Sequence, residues 1–217
     1  MPAALLAAGV LILDFVSGGP HALALLATFG TPLLAGVGGL VRGSPRWWLW
    51  PLVAAGLWLA AWLADGLVRD AAGVALIALA CLAAAGVAAA VAPAWSIRAG
   101  LVALAVLDVI LVWGTTGVNT ATVSLENVAL PHAAGTPLPS LQQATFGSAL
   151  MGWLDLLAPA LLGVVVAGRS KLAAAAVTGI AAGLWGLLLL TTSEVAATVP
   201  VLAGLGLAAA HARRSRL

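Results

Sequence analysis

Hydrophobic residues in this chain come in long blocks separated by brief clusters of Gly, Pro or charge. Each block holds about 15 to 22 residues, the length of a helix crossing ~30 Å of hydrocarbon rather than of a barrel strand. The pattern predicts eight helices, at about Ala3–Val16, His21–Val41, Trp47–Leu67, Ala71–Val91, Ala99–Gly114, Phe146–Ala167, Lys171–Leu190 and Ala196–Ala210. Breakers fall between them at Ser17-Gly18-Gly19-Pro20, at Arg42 to Arg46, at Asp65 to Asp70 and at Pro93 to Arg98. Thr115 to Thr145 has no helical period. It is polar, holds Pro131, Pro137 and Pro139, and reads as a loop in which Thr122 to Leu125 alternates in the manner of a short strand.

Composition fixes the class. The chain is 63% hydrophobic and 7% charged, where a soluble domain carries about 25% charge. The expected fold is therefore an all-α polytopic membrane bundle, one transmembrane domain over residues 1–217 with a four-helix part (1–98) and a second part (99–217). Eight spans leave no extramembrane domain to carry function, so the lipid bilayer is the expected surrounding. Nine basic residues spread along the chain form no patch for nucleic acid. The single cysteine, Cys81, lies within an apolar run and reads as a core thiol. The N-terminal run has no positive region before it and reads as a first span rather than a signal peptide. No metal-ligand cluster or nucleotide loop stands out in the sequence, and no cofactor is expected.

Charge also gives an orientation. In an eight-helix chain Arg42, Arg46, Arg98, Arg169, Lys171, Arg213, Arg214 and Arg216 fall on one side, and Arg69 alone falls on the other. Basic residues favour the cytoplasmic side of short loops, so both termini are expected inside and Thr115 to Thr145 outside. Trp47, Trp48 and Trp50 follow Arg46 at once and read as an interfacial aromatic anchor.

Two carboxylates interrupt this apolar background. Asp155 sits in A-L-M-G-W-L-D-L-L-A-P-A-L-L-G and Asp108 in the preceding block, L-V-A-L-A-V-L-D-V-I-L-V-W-G-T. An acid at the centre of a span costs roughly 2.5 to 3.5 kcal/mol on insertion scales, so it persists where a partner or a wet cavity receives it. Asp108 lies six residues before Gly114 and Asp155 nine after Phe146. At ~1.5 Å per residue both are then expected roughly 9 to 14 Å below the outer surface, where they can meet. Carboxylates in contact away from water share one proton, and such a pair can hydrolyse a peptide bond, one member taking a proton from water and the other donating to the carbonyl oxygen.

At these positions the sequence resembles the GxGD intramembrane aspartyl proteases, the presenilin and signal peptide peptidase family. Gly152-Trp153-Leu154-Asp155 with Pro159 is similar to the family's second aspartate motif, and Leu107-Asp108 with Gly114-Thr115 to the first. Pro200-Val201-Leu202 is similar to the proline-alanine-leucine motif of the last helix. Order and spacing agree from Ala99 to the C-terminus. Leu107 stands where the family has tyrosine, Leu154 where it has the second glycine, and Val201 where it has alanine. The resemblance implies a presenilin-like bundle one helix shorter than the family's nine, in the signal peptide peptidase orientation. It also implies an endopeptidase with Asp108 and Asp155 as the dyad and Gly152, Leu154, Pro159, Gly114, Thr115 and Pro200 to Leu202 lining the cleft. Substrates would be transmembrane helices or signal-peptide remnants. Other readings of the acid pair are an inactive family relative and a small proton-coupled transporter. The prepilin peptidase branch fits less well, because Leu156, Leu157 and Ala158 follow Asp155 where that branch has a lysine.

Overall fold

The computed structural model describes residues 19–41, 45–114, 132–133, 136–139, 141, 143–146, 149–167, 172, 174–181, 184 and 200–207. The expected first helix, the Thr122 to Leu125 strand and both chain ends lie outside the described residues, as do the side chains of Asp108 and Leu154. The chain is predominantly helical: α1 is Gly19–Val41, α2 Leu49–Leu63, α3 Leu67–Val91, α4 Ala94–Gly114 and α5 Trp153–Ala167. Residues 174–181 and 200–207 are also helical. Between α4 and α5 lie two small antiparallel hairpins, β1 (His132–Ala133) with β2 (Thr136–Pro137), and β3 (Gln143–Phe146) with β4 (Ala149–Gly152).

The organising element is α3. Helices α1, α2 and α5 and strand β3 all lie against it. Its composition makes this feasible: Ala72, Ala80, Cys81, Ala83 and Ala85 are buried together with Leu76 and Ile77, so small residues let several neighbours approach one rod. Helix α1 exploits this at Gly38, where an added Cβ would stand 3.1 Å from Ala83 Cβ and 3.3 Å from the Trp50 ring. Among the described residues α3 is the helix long and apolar enough to cross a membrane; the stretches Leu26–Gly38, Leu49–Leu63, Ala94–Leu107 and Asp155–Ala167 are apolar but shorter.

Three boundaries differ from the sequence expectation. The break expected at Asp65 to Asp70 is tighter, because Ala64 is extended and Gly66 takes φ +58°, which turns the chain straight into α3 at Leu67. Arg69 then reaches back, its Nε donating to the Ala64 carbonyl at 2.9 Å and its Nη2 to Asp65 Oδ1 at 3.2 Å. Helix α4 begins at Ala94 instead of Ala99: the Ser96 hydroxyl donates to the Pro93 carbonyl at 2.8 Å, so the expected connector is already the first turn. Finally, Ala149 to Gly152, expected inside the sixth helix, pairs as strand β4 with β3, and α5 starts only at Trp153.

The positive φ at Gly66 yields a first prediction. A Cβ there meets nothing within 4 Å, so Gly66→Ala tests backbone strain alone. It should destabilise the protein by about 1 to 3 kcal/mol, read as a lower midpoint of thermal unfolding in detergent.

Candidate active site

Asp155 is the third residue of α5, not a mid-helix residue. The Gly152 N–H donates to Asp155 Oδ2 at 2.7 Å. An acid at this position reaching back to the residue before the helix forms the reciprocal half of a capping box, and its negative charge suits the positive end of the helix dipole. Pro159, inside α5, has no N–H to donate to the Asp155 carbonyl, so the ladder bond that would follow Asp155 is missing at its source. The side chain of Asp155 is partly buried.

The start of α5 also has a defined level along α3. The Cys81 thiol lies 3.6 Å from the Trp153 carbonyl oxygen, so α5 starts level with the middle of α3. That level is about 21 Å along α3 from Leu67 and about 15 Å from Val91, at ~1.5 Å per residue. The expected depth of 9 to 14 Å assumed a helix from Phe146; the chain there is instead part of hairpin β3–β4, and α5 begins only at Trp153.

Helix faces relate Asp155 to the helix that holds Asp108. Ala158, Leu162 and Val166 follow Asp155 at three, seven and eleven residues and so share its face of α5. These three are buried in one cluster with Leu101 of α4. On α4, Leu101 and Ala105 are buried at 2% and 1% exposure, and position 108, at i+7 from Leu101, falls on their face. The two helices therefore meet along the faces to which both aspartate positions belong.

The third motif joins the same cluster. Val201 packs with Leu162 and Val177, Pro200 is buried and Leu202 partly so. An added Cβ at Gly204 would fall 2.8 Å from Leu162 Cδ2 and 3.1 Å from Val177 Cγ1, so residues 200–207 press closely on α5. Gly114 is the last residue of α4; Thr115 lies outside the described residues. Leu154 is the second residue of α5.

Several residues around Asp155 were not singled out in the sequence. Trp153 Nε1 donates to the Leu141 carbonyl at 3.0 Å, the buried Thr28 hydroxyl of α1 to the Pro139 carbonyl at 3.0 Å, and Trp58 Nε1 of α2 to the Thr28 carbonyl at 2.9 Å. Leu141 is itself buried in the α3 core with Leu76, Ile77 and Cys81. A tryptophan beside a motif aspartate and the threonines Thr28 and Thr31 in an apolar run were the available signals. Among the described residues no group of His, Cys, Asp and Glu is placed to hold a metal ion. No protein-family model, curated protein or solved structure matches this chain.

Proposed function

We propose that the chain is an intramembrane aspartic endopeptidase, with Asp108 and Asp155 as its dyad and transmembrane peptides as its substrates. The observation that carries this reading is the packing of α4 on α5 through Leu101, Ala158 and Leu162, because it turns the faces of both aspartate positions toward one another. Position 108 lies seven residues on from Leu101 and position 155 seven back from Leu162, so each is on the face of its helix that enters this cluster. One carboxylate takes a proton from water, whose oxygen attacks the peptide carbonyl carbon while the protonated partner donates to the carbonyl oxygen. Collapse of the tetrahedral adduct returns a proton to the amide nitrogen and breaks the C–N bond. Strand β4, running directly into Asp155, offers an unwound peptide a backbone edge to pair with.

In this reading the chain crosses the membrane eight times with both termini in the cytoplasm. Large apolar side chains exposed along successive helices support a lipid surrounding: Leu26 and Leu33 on α1, Leu52 and Leu63 on α2, Val91 on α3 and Val106 on α4. Arg69, the one basic residue on the wrong side for this orientation, is offset by its ion pair with Asp65. Cysteines introduced at Ala134 and Ser170 in a Cys81→Ala background are expected to react with impermeant reagents from opposite sides of intact cells. Labelling of both from one side would reject the topology.

The function itself is tested by reconstituting the purified protein in liposomes with single-span peptides and locating cleavage by mass spectrometry. Aspartate-dependent cuts inside the span are expected; cuts only in flanking segments, or none in a panel of spans, reject the proposal. The hydrogen bond from Gly152 also favours a second reading, an inactive relative in which Asp155 serves as a helix cap. The Asp155→Asn variant separates the two.

A further inference from the structure

Non-helical backbone at membrane depth is tolerated only where protein buries it and satisfies its polar groups. The approach to hairpin β3–β4 meets that condition in an unusual way. Pro139 and Leu141 are buried between helices, and an added Cβ at Gly73 of α3 would stand 4.0 Å from Leu141 Cδ2. Each of the two carbonyls is claimed by a side chain: Pro139 by Thr28 of α1, and Leu141 by Trp153 of α5. Trp58 of α2 in turn holds the Thr28 carbonyl, and Cys81 of α3 meets the Trp153 carbonyl.

We infer that the segment carrying Pro139 and Leu141 is a strap which, held by Thr28 and Trp153, positions Asp155. The geometry explains how. The Trp153–Leu141 bond closes the base of the hairpin, since β3 begins two residues after Leu141 and β4 ends one residue before Trp153. The Thr28–Pro139 bond then fixes that closed base to α1. Asp155 is two residues from Trp153 and is bonded to Gly152, the last residue of β4. Its carboxylate is therefore located by the hairpin as much as by α5. The N-terminal helices, which supply no group to the proposed chemistry, act on it through this chain of bonds. Thr28 and Trp153 are positioning residues, and this role rests on the endopeptidase reading only for its effect on turnover.

The test pairs hydrogen exchange with kinetics. In Thr28→Val, which is isosteric, and Trp153→Phe, which removes the indole N–H with part of the ring, amides of residues 143–152 should exchange roughly tenfold faster, the loss of one net hydrogen bond, with α3 unchanged. Thr28→Ser, which keeps the donor, should behave as the parent. On a cleavable peptide the first two variants should lose about tenfold in kcat with KM within about twofold, because misplacement of a reacting group acts on the transition state. Unchanged exchange in 143–152, or faster exchange across all helices alike, overturns the strap. Faster hairpin exchange with unaltered kcat overturns the positioning role. Selective loosening in a protein that cleaves nothing leaves the strap standing and rejects the endopeptidase reading instead.

Discussion

Asp155→Asn is expected to lower peptide cleavage by roughly a thousandfold or more, because groups that act as a unit fail together, while costing less than about 1 kcal/mol of stability, the share of its charge at the helix end. Asparagine keeps a side-chain oxygen that can accept from the Gly152 N–H, so the start of α5 stays capped. What it loses is the acid. Asp155→Ala removes both, and should cost about 1 kcal/mol of stability from the lost cap in addition to activity. Asp108→Asn should match Asp155→Asn in activity. Two carboxylates sharing one proton titrate as a pair, so the parent should show a bell-shaped pH–rate profile: the doubly protonated form has no base and the doubly ionised form no acid. The measurement is cleavage in liposomes across the acid and neutral range, with helix content followed in parallel. Near-normal turnover by either asparagine variant, with the cap intact, would leave Asp155 as a structural residue and favour the inactive-relative reading.

The largest loss of stability is expected at Leu162. It is fully buried and lies where α5 meets Leu101 of α4, Val201 and Val177. Gly204 leaves it so little room that a Cβ there would stand 2.8 Å from its Cδ2. Leu162→Ala should therefore cost about 2 to 5 kcal/mol, the range for leucine truncation where neighbours cannot collapse into the space. Leu162→Met, which conserves volume, should cost less than about 1.5 kcal/mol. Denaturant unfolding in detergent reads both. Equal and small effects would mean that residues 200–207 relax toward α5, and that the α4–α5 contact is set elsewhere.

What the sequence disclosed followed from composition and from long uniform periods. Helix α1 starts within two residues of the expected His21, and the far end of α3 falls at the expected Val91, because Pro93 and a polar break leave little choice. The start of α5 is hidden in the sequence because Phe146 to Gly152 is apolar enough to pass for helix. The signal against it was Gly147-Ser148, a pair that suits a two-residue hairpin link between runs. Pro137 to Leu141 read as an outer loop for the opposite reason: prolines mark irregular backbone but not whether a bundle encloses it. The central place of α3 was equally hidden, since alanine and leucine look alike whether they face lipid or a ring of packed neighbours. Of the candidate site, it was legible that Asp108 and Asp155 each belong to an apolar helix. The bonds that hold Asp155, from Gly152 at its own turn to Thr28 across the bundle, depend on contacts that no local pattern encodes.

The central position of α3 has a consequence for how the protein is made. Helices α1 and α2 precede α3 in the chain, so that trio can assemble as soon as α3 leaves the ribosome. The surface of α3 that receives α5 and β3 must wait for much later residues; at about 5 to 20 residues per second, several seconds of synthesis separate them. During that interval Ala80, Cys81 and their neighbours have no partner on that side. The small residues that let α5 approach closely would let another helix do the same, so this face is open to a wrong partner until α5 is made. The order of synthesis is thus part of the packing problem that α3 poses: α1 and α2 can claim their sides at once, while the berth for α5 stays open until its occupant arrives.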